Sequence, residues 1–328
     1  MKTNSNPESD LKIPNLYKKV LPYIRIARPD HWFKSVFMLP GFAFAIYDTP
    51  SLLSWYILPK TIVGIFATCL IASSNYTINE ILDAPMDALH PVKKYRPVPS
   101  GKVFIPIGYF QWVILAITGL IIGLTINLLF FFILAALLIM GILYNVPPIR
   151  LKDKPYIDVL SESVNNPIRL FLGWFCINTL YPPTLSLSMA YWMIGAFFMA
   201  TKRYAEFRRI ADAEQSKKYR KSFSYYNEYR LILSMVYYAS CFSLFFGIFL
   251  IRYRLELILS VPFIAGFFPV YMRMGFWADS PAQYPEHLYK QRGLVIYSSL
   301  CLVLIISLLF IDIPFIEQMF QPFHLPGE

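Results

Sequence analysis

Residues 79 to 101 read NEILDAPMDALHPVKKYRPVPSG, the densest run of chemically capable side chains in the sequence. Asn79, Asp83 and Asp87 recur every fourth residue. On a continuous helix that spacing stacks three oxygen-bearing side chains on one face about 6 Å apart, with Glu80 one position round. Hard oxygen donors in such a row suit Mg2+, which keeps several waters and completes its shell with substrate phosphates, so the bound group would be a diphosphate. The basic loop that follows fits the same chemistry. Lys93, Lys94 and Arg96 can meet phosphate oxygens, Arg96 in a bidentate manner, while Pro91, Pro97 and Pro99 restrict the loop. The plain alternative is a solvated helix end whose acids offset the Lys-Lys-Tyr-Arg behind them. Ionisable groups this close to a membrane are costly and tend to be functional, which favours the site.

The elements that must position these groups are membrane helices. Of 328 residues, 56% are hydrophobic and 15% charged, too apolar a balance for a water-soluble enzyme of this length. The 23 Tyr and 28 Phe suit helix ends in the headgroup region. Apolar runs of roughly 20 residues, long enough to cross a bilayer, lie near 34–50, 56–78, 104–125, 127–146, 164–181, 186–203, 231–251, 254–272 and 293–312. The first is interrupted by Pro40-Gly41, and the third and fourth touch around Thr125-Ile126-Asn127. The expected fold class is all-α, a polytopic membrane protein of about nine transmembrane helices. Residues 1–33 form a cytoplasmic amino-terminal segment, 34–312 the transmembrane domain and 313–328 a short tail. The first nineteen residues are polar and lack the apolar core and cleavage site of a secretory signal, so the first helix is expected to stay as the anchor. Leu16 to Arg28 alternates apolar with basic residues, as an interfacial amphipathic helix does.

All Lys and Arg except Lys60, Arg169, Arg252 and Arg254 fall on one side of the nine-helix arrangement. The positive-inside rule makes that side cytoplasmic, with the amino terminus on it. Much of the formal net charge of +10 is then topology and attraction to anionic lipid headgroups rather than affinity for nucleic acid. The four cysteines, Cys69, Cys176, Cys241 and Cys301, all lie in apolar runs and match neither a zinc site nor a disulfide framework. The four histidines are scattered, which argues against a histidine-bound transition metal.

The pattern N-[D/E]-x-x-D-x-x-x-D-x-x-H-P-x-K-x-x-R-P-x-x-x-G, carried by Asn79 to Gly101, resembles the first signature of the UbiA superfamily of membrane prenyltransferases, and most resembles its decaprenyl-phosphate phosphoribosyltransferase branch. Further segments are similar to that branch: Arg28 to Ser35 including Lys34, Tyr144 through Arg150 and Lys152 to Asp158, and Lys202-Arg203-Tyr204-Ala205-Glu206. The resemblance implies helices around a central cavity with lateral access for a lipid, and Mg2+ held against a diphosphate by Asn79, Asp83 and Asp87, with Glu80 assisting. Glu80 stands where the family usually has Asp. The second Asp-rich motif of aromatic prenyltransferases has no counterpart after residue 200. That segment instead presents Lys202 and Arg203, followed by Arg208, Arg209, Lys217, Lys218, Arg220 and Lys221.

Arg169, in Asn165-Asn166-Pro167-Ile168-Arg169, sits inside an apolar run where a bare guanidinium is costly, so it meets either a phosphate or a carboxylate of Asp158 or Glu162. Tyr144, Arg150 and Lys152 contact the donor's phosphates or cap their loop. One acidic row opposed by cations fits a metal-bound diphosphate donor and a second anionic reactant. The expected reaction is Mg2+-dependent transfer of 5-phosphoribosyl from phosphoribosyl diphosphate to a polyprenyl phosphate, in a bacterial inner membrane with the site loops cytoplasmic. The rival enzyme joins an isoprenoid diphosphate to an aromatic or other small acceptor. A transporter of polyprenyl-linked sugars is disfavoured, because transporter sites lie near the midplane between repeats.

Overall fold

The structure, a computed structural model of the chain, describes residues 15–90, 92–209 and 221–320. Pro91, Lys217, Lys218 and Arg220, like residues 1–14 and 321–328, lie outside the described residues. Every described element is helical: α1 (Asn15–Ala27), a 3-10 segment (Pro29–Met38), α2 (Leu39–Asp48), α3 (Ile57–Asp87), α4 (Ile105–Ile126), α5 (Leu128–Asn145), α6 (Ile157–Ser163), α7 (Asn165–Ile177), α8 (Leu185–Arg209), α9 (Glu228–Tyr253), α10 (Val261–Gly275), α11 (Arg292–Phe310) and α12 (Pro314–Phe320). Among the described residues, six helical segments are long and apolar enough to cross a membrane: α3, α4, α5, α9, Leu255–Gly275 and α11. The other three expected spans are the 3-10 segment with α2, α7 and α8. The first two are short or interrupted, and α8 carries a charged end. The count of nine rests on those three and stays an expectation.

The breaks follow from local chemistry. Asn127 separates α4 from α5 by accepting the Phe130 N–H at 2.8 Å, a side-chain cap on the first turn of α5. Its amide donates to the Phe175 carbonyl at 2.8 Å, tying that corner to α7. Pro40 and Gly41 mark the start of α2, and Gly41 lets α2 cross α7 backbone to backbone. A Cβ on Gly41 would lie 2.1 Å from the Leu170 carbonyl oxygen, and one on Gly173 would lie 2.1 Å from that of Met38. Small residues at such crossings are the usual means of close helix contact in a membrane.

Helix α3 runs through Pro85 to Asp87. The ring costs the Ile81 carbonyl its helical partner, but the helix continues, so Asn79, Asp83 and Asp87 share one regular element as their spacing requires. Helix α1 docks on the same end of the bundle. Ile26 packs with Ile81, Val98 and Val103, and Gln111 donates to the Tyr23 carbonyl at 2.9 Å. Helices α8 and α9 form the largest buried cluster, around Phe197, Tyr204, Leu231 and Met235, which fixes the end of α8 opposite that of α3.

Candidate active site

The ends of α3, α5 and α8 meet α6, α7 and the 3-10 segment around one cavity of about 480 Å3. Nine Lys and Arg side chains line it against five Asp and Glu. Asn79 donates to Asp83 Oδ2 at 3.2 Å and to Asn145 Oδ1. Asp83 Oδ1 accepts from Lys152 Nζ at 2.6 Å and from Arg150 Nη2 at 2.8 Å, and Lys152 also donates to Asn145 Oδ1 at 2.8 Å. Asp87, 3% exposed, accepts from Arg96 Nη1 at 2.5 Å. The acid row and the two basic loops expected to serve it are thus brought together.

Two carboxylates and an amide on one wall are a hard donor set. Both amide protons of Asn79 are committed, which leaves its oxygen as the ligating atom. Among the described residues no three His, Cys, Asp or Glu side chains gather into a cage. Mg2+ needs none when one or two carboxylates and substrate phosphates supply its anionic ligands. The residues therefore fit the ion.

Several expected site residues have other work. Glu80, 1% exposed, is absent from the cavity wall. It accepts from Arg28 at 3.4 Å and from the Val98 N–H at 3.2 Å, because one step along a helix turns a side chain about 100° from its neighbour. Its part is to tie the α1 end and the proline loop to α3, which corrects the expectation that it assists the metal. Lys94 is exposed, with Nζ 5.1 Å from the centre of the Tyr95 ring, and only Lys93 of that pair lines the cavity.

Arg203 also departs from expectation. Only 2% exposed, it reaches Asp158 at 3.0 Å, Glu162 at 3.0 Å and Glu206 at 2.8 Å, and its Nη2 donates to the Tyr144 hydroxyl at 3.2 Å. Tyr144 in turn donates to Glu162 at 2.7 Å. Arg203, Tyr144 and Glu206 thus form a buried ionic clamp rather than a phosphate site. Removing one member leaves uncompensated charge, so Arg203→Met is expected to cost about 3–5 kcal/mol of stability. The check is the thermal midpoint of the purified protein in detergent, which should fall by several degrees.

The cations left for a ligand are Lys34, Arg169 and Lys202. All three line the cavity, and among the described residues none has a carboxylate within ion-pair distance. Arg169 is 6% exposed and donates to the Asn165 carbonyl at 3.2 Å. Its Nε has no partner among the described residues. The alternative pairing with Asp158 or Glu162 does not form, since Arg203 occupies both. Lys34 Nζ sits 5.5 Å from the centre of the Tyr76 ring.

Sequence reasoning missed Tyr76, Asn145 and His31. Tyr76 stands three residues before Asn79, on the same face, a signal that could have found it. Asn145 bridges α3 and α5, and nothing in its sequence setting announces that. His31 packs on Tyr76 at 5.0 Å between ring centres. Burial first, then Lys34 and Arg28, push its pKa down to about 3. It is neutral at physiological pH and adds no charge to the site. His90 Nδ1 accepts the N–H groups of Val92 and Lys93, each at 3.1 Å, and so shapes the basic loop. Arg28 and Arg150, both on the cavity wall, hold left-handed backbone with φ of 49° and 33°, a strain that clusters at functional sites.

An apolar helical bundle closing over one polar, cation-rich cavity with a carboxylate row defines an integral membrane protein with a site suited to anionic ligands. The chain belongs to the UbiA prenyltransferase family, whose family model matches residues 36–291. It is 29% identical over 214 residues to the decaprenyl-phosphate phosphoribosyltransferase of Mycolicibacterium smegmatis, an alignment covering 63% of this chain and 63% of that protein. It is also 29% identical to the enzyme of the same name from Mycobacterium tuberculosis H37Rv, over 56% of this chain and 59% of that one. The chain thus spans less than two thirds of these relatives' length. Its fold matches a UbiA homolog from Archaeoglobus fulgidus bound to GPP and Mg2+, with a TM-score of 0.67, 21% identity, and coverage of 88% of this chain and 100% of that one.

Proposed function

We propose that this protein transfers 5-phosphoribosyl from phosphoribosyl diphosphate to a polyprenyl phosphate, releasing pyrophosphate. The observation that carries this reading is the presence of two charge centres in one cavity: the carboxylate row with its attendant cations, and the set Lys34, Arg169 and Lys202, none of which has a carboxylate within ion-pair distance among the described residues. The two substrates together bring one diphosphate and two monophosphates, one anion for each centre and one more. The names of the mycobacterial relatives support the same reaction.

In this reading an oxygen of the lipid phosphate attacks C1 of the ribose. The bond from C1 to the diphosphate oxygen breaks, and its electron pair leaves with pyrophosphate. Bound by Asp83, Asp87 and Asn79, Mg2+ would supply Lewis-acid neutralisation of the diphosphate. Arg96, Arg150, Lys152 and Lys93 take up the charge that grows on the leaving oxygen. Lys34, Arg169 and Lys202 hold a monophosphate, so that positioning supplies much of the rate. An acceptor that is already ionised needs no general base, and no side chain forms a covalent bond.

One observation favours the rival prenyl transfer: Glu162 and Glu206 line the cavity and could serve a second metal. Arg203 is already paired with both and with Asp158, so a second metal would have to displace a buried guanidinium, which leaves the phosphoribosyl reading ahead. The proposed setting is a bacterial inner membrane with the cavity mouth toward the cytoplasm, following the partition of Lys and Arg. Inverted vesicles supplied with external phosphoribosyl diphosphate and Mg2+ are expected to gain a polyprenylphosphoryl 5-phosphoribose, seen by mass spectrometry of the extracted lipid. Product only in right-side-out vesicles would reverse the orientation, and a prenylated aromatic in its place would establish the rival.

A further inference from the structure

In this structure the carboxylates assigned to the metal are already covered. Asp83 Oδ1 is shared by Lys152 and Arg150 at 2.6 and 2.8 Å, Asp83 Oδ2 accepts from Asn79, and Asp87 Oδ2 accepts from Arg96. Three cations thus sit on two acids. Glu80 cannot redress the balance, since it is buried against Arg28. Asp153 lies 3.3 Å from Arg150, an acid bound to the same cation. Around the row, the remaining cavity cations outnumber the acids again. A free divalent cation approaching Asp83 and Asp87 would enter a region where the described cavity cations outnumber the acids, and would have to displace Lys152 and Arg150 from Asp83 and Arg96 from Asp87.

A diphosphate reverses each of those terms. Its oxygens can accept from Lys152, Arg150 and Arg96, which are held at the cavity wall by their own elements. Lys152, 6% exposed, stays tethered through Asn145 Oδ1 at 2.8 Å, so a small swing carries its ammonium from carboxylate to phosphate. Once the three cations have moved, the Asp83 and Asp87 oxygens that held them are open to a cation.

We propose that Lys152, Arg150 and Arg96 act as a charge-exchange latch: they close the acid row to a divalent cation until a diphosphate takes them, so that metal and diphosphate bind as a mutually dependent pair. The inference rests on the proposed function only in taking Asp83 and Asp87 as the metal ligands, and it makes no use of which diphosphate is consumed. Two ligands that each relieve the other's electrostatic cost are linked, and the linkage is reciprocal. Metal should tighten diphosphate by the same factor by which diphosphate tightens metal.

The test counts free Mn2+ by electron paramagnetic resonance during titration of the purified full chain in detergent, with and without inorganic pyrophosphate. A competing titration without protein corrects for the Mn2+–pyrophosphate complex. The wild type is expected to bind Mn2+ roughly 5- to 150-fold more tightly when pyrophosphate is present. In Lys152→Met the latch is weakened, so Mn2+ alone binds more tightly than to the wild type and the coupling factor shrinks. Arg150→Gln is the second variant, should the first fail to fold, and the same direction is expected. Equal Mn2+ affinity with and without pyrophosphate in the wild type would overturn the latch and leave the phosphoribosyl reading standing. Undiminished coupling in both folded variants would likewise overturn it. Absence of Mn2+ binding under either condition would remove the metal assignment itself, and the latch with it.

Discussion

Asp83→Asn and Asp87→Asn are each expected to abolish turnover while the protein keeps its fold. Each exchange removes one negative charge from the metal-facing wall and almost no volume. Asp83 is the harder case, because its carboxylate also answers Lys152 and Arg150. Its side chain is 21% exposed, Lys152 keeps its bond to Asn145, and Arg150 keeps Asp153. Solvent and those partners absorb the loss, so the thermal midpoint is expected to fall by a few degrees without collapse. Catalysis has no such reserve in the proposed reaction, since among the described residues only these two carboxylates of α3 line the cavity. A loss of at least about a hundredfold in kcat, or ~2.7 kcal/mol, is the scale for removing one electrostatic group from a transition state. Near-normal turnover in either folded variant would remove the metal assignment.

The second large effect separates function from stability at the other charge centre. Arg169→Met is expected to raise KM for the anionic substrate by an amount equivalent to about 2–5 kcal/mol, the cost of truncating one partner of a desolvated charge pair. Its effect on the empty protein has the opposite sign. Arg169 is buried without a carboxylate, and its Nε is unsatisfied among the described residues, so methionine removes a buried charge and should leave the thermal midpoint unchanged or raise it. Lys202→Ala should weaken binding in the same way, and because the two residues would share one ligand, their effects in the double variant should not add. A fall in stability with KM unchanged in Arg169→Met would make the residue structural and leave the second anion without its site.

Periodicity made the acid row legible because a regular helix repeats its face every three to four residues, and α3 keeps that repeat through Pro85. Which cation meets which anion was not legible. Lys202 and Arg203 are neighbours in sequence, yet a helix turns adjacent side chains apart, so one faces the cavity while the other is consumed by Asp158, Glu162 and Glu206. Asp158 and Glu162 come from α6, an element that the apolar-run reading left inside a loop because seven residues carry too weak a pattern. Glu80 followed the same rule as Arg203: the signature put it beside the row, and the helix turned it to Arg28. The interruption at Pro40-Gly41 was visible in the sequence, but its purpose was not, since only the fold brings Gly173 against it.

The central claim is that the diphosphate consumed carries a ribose 5-phosphate and the acceptor carries its own phosphate. Pyrophosphate release by the purified protein tests it most directly, with substrates supplied in matched pairs in the presence of Mg2+. The expected result is release from phosphoribosyl diphosphate only when a polyprenyl phosphate is added, and none from a prenyl diphosphate with an aromatic acid. Release from the prenyl diphosphate pair, with phosphoribosyl diphosphate left intact, would contradict the account.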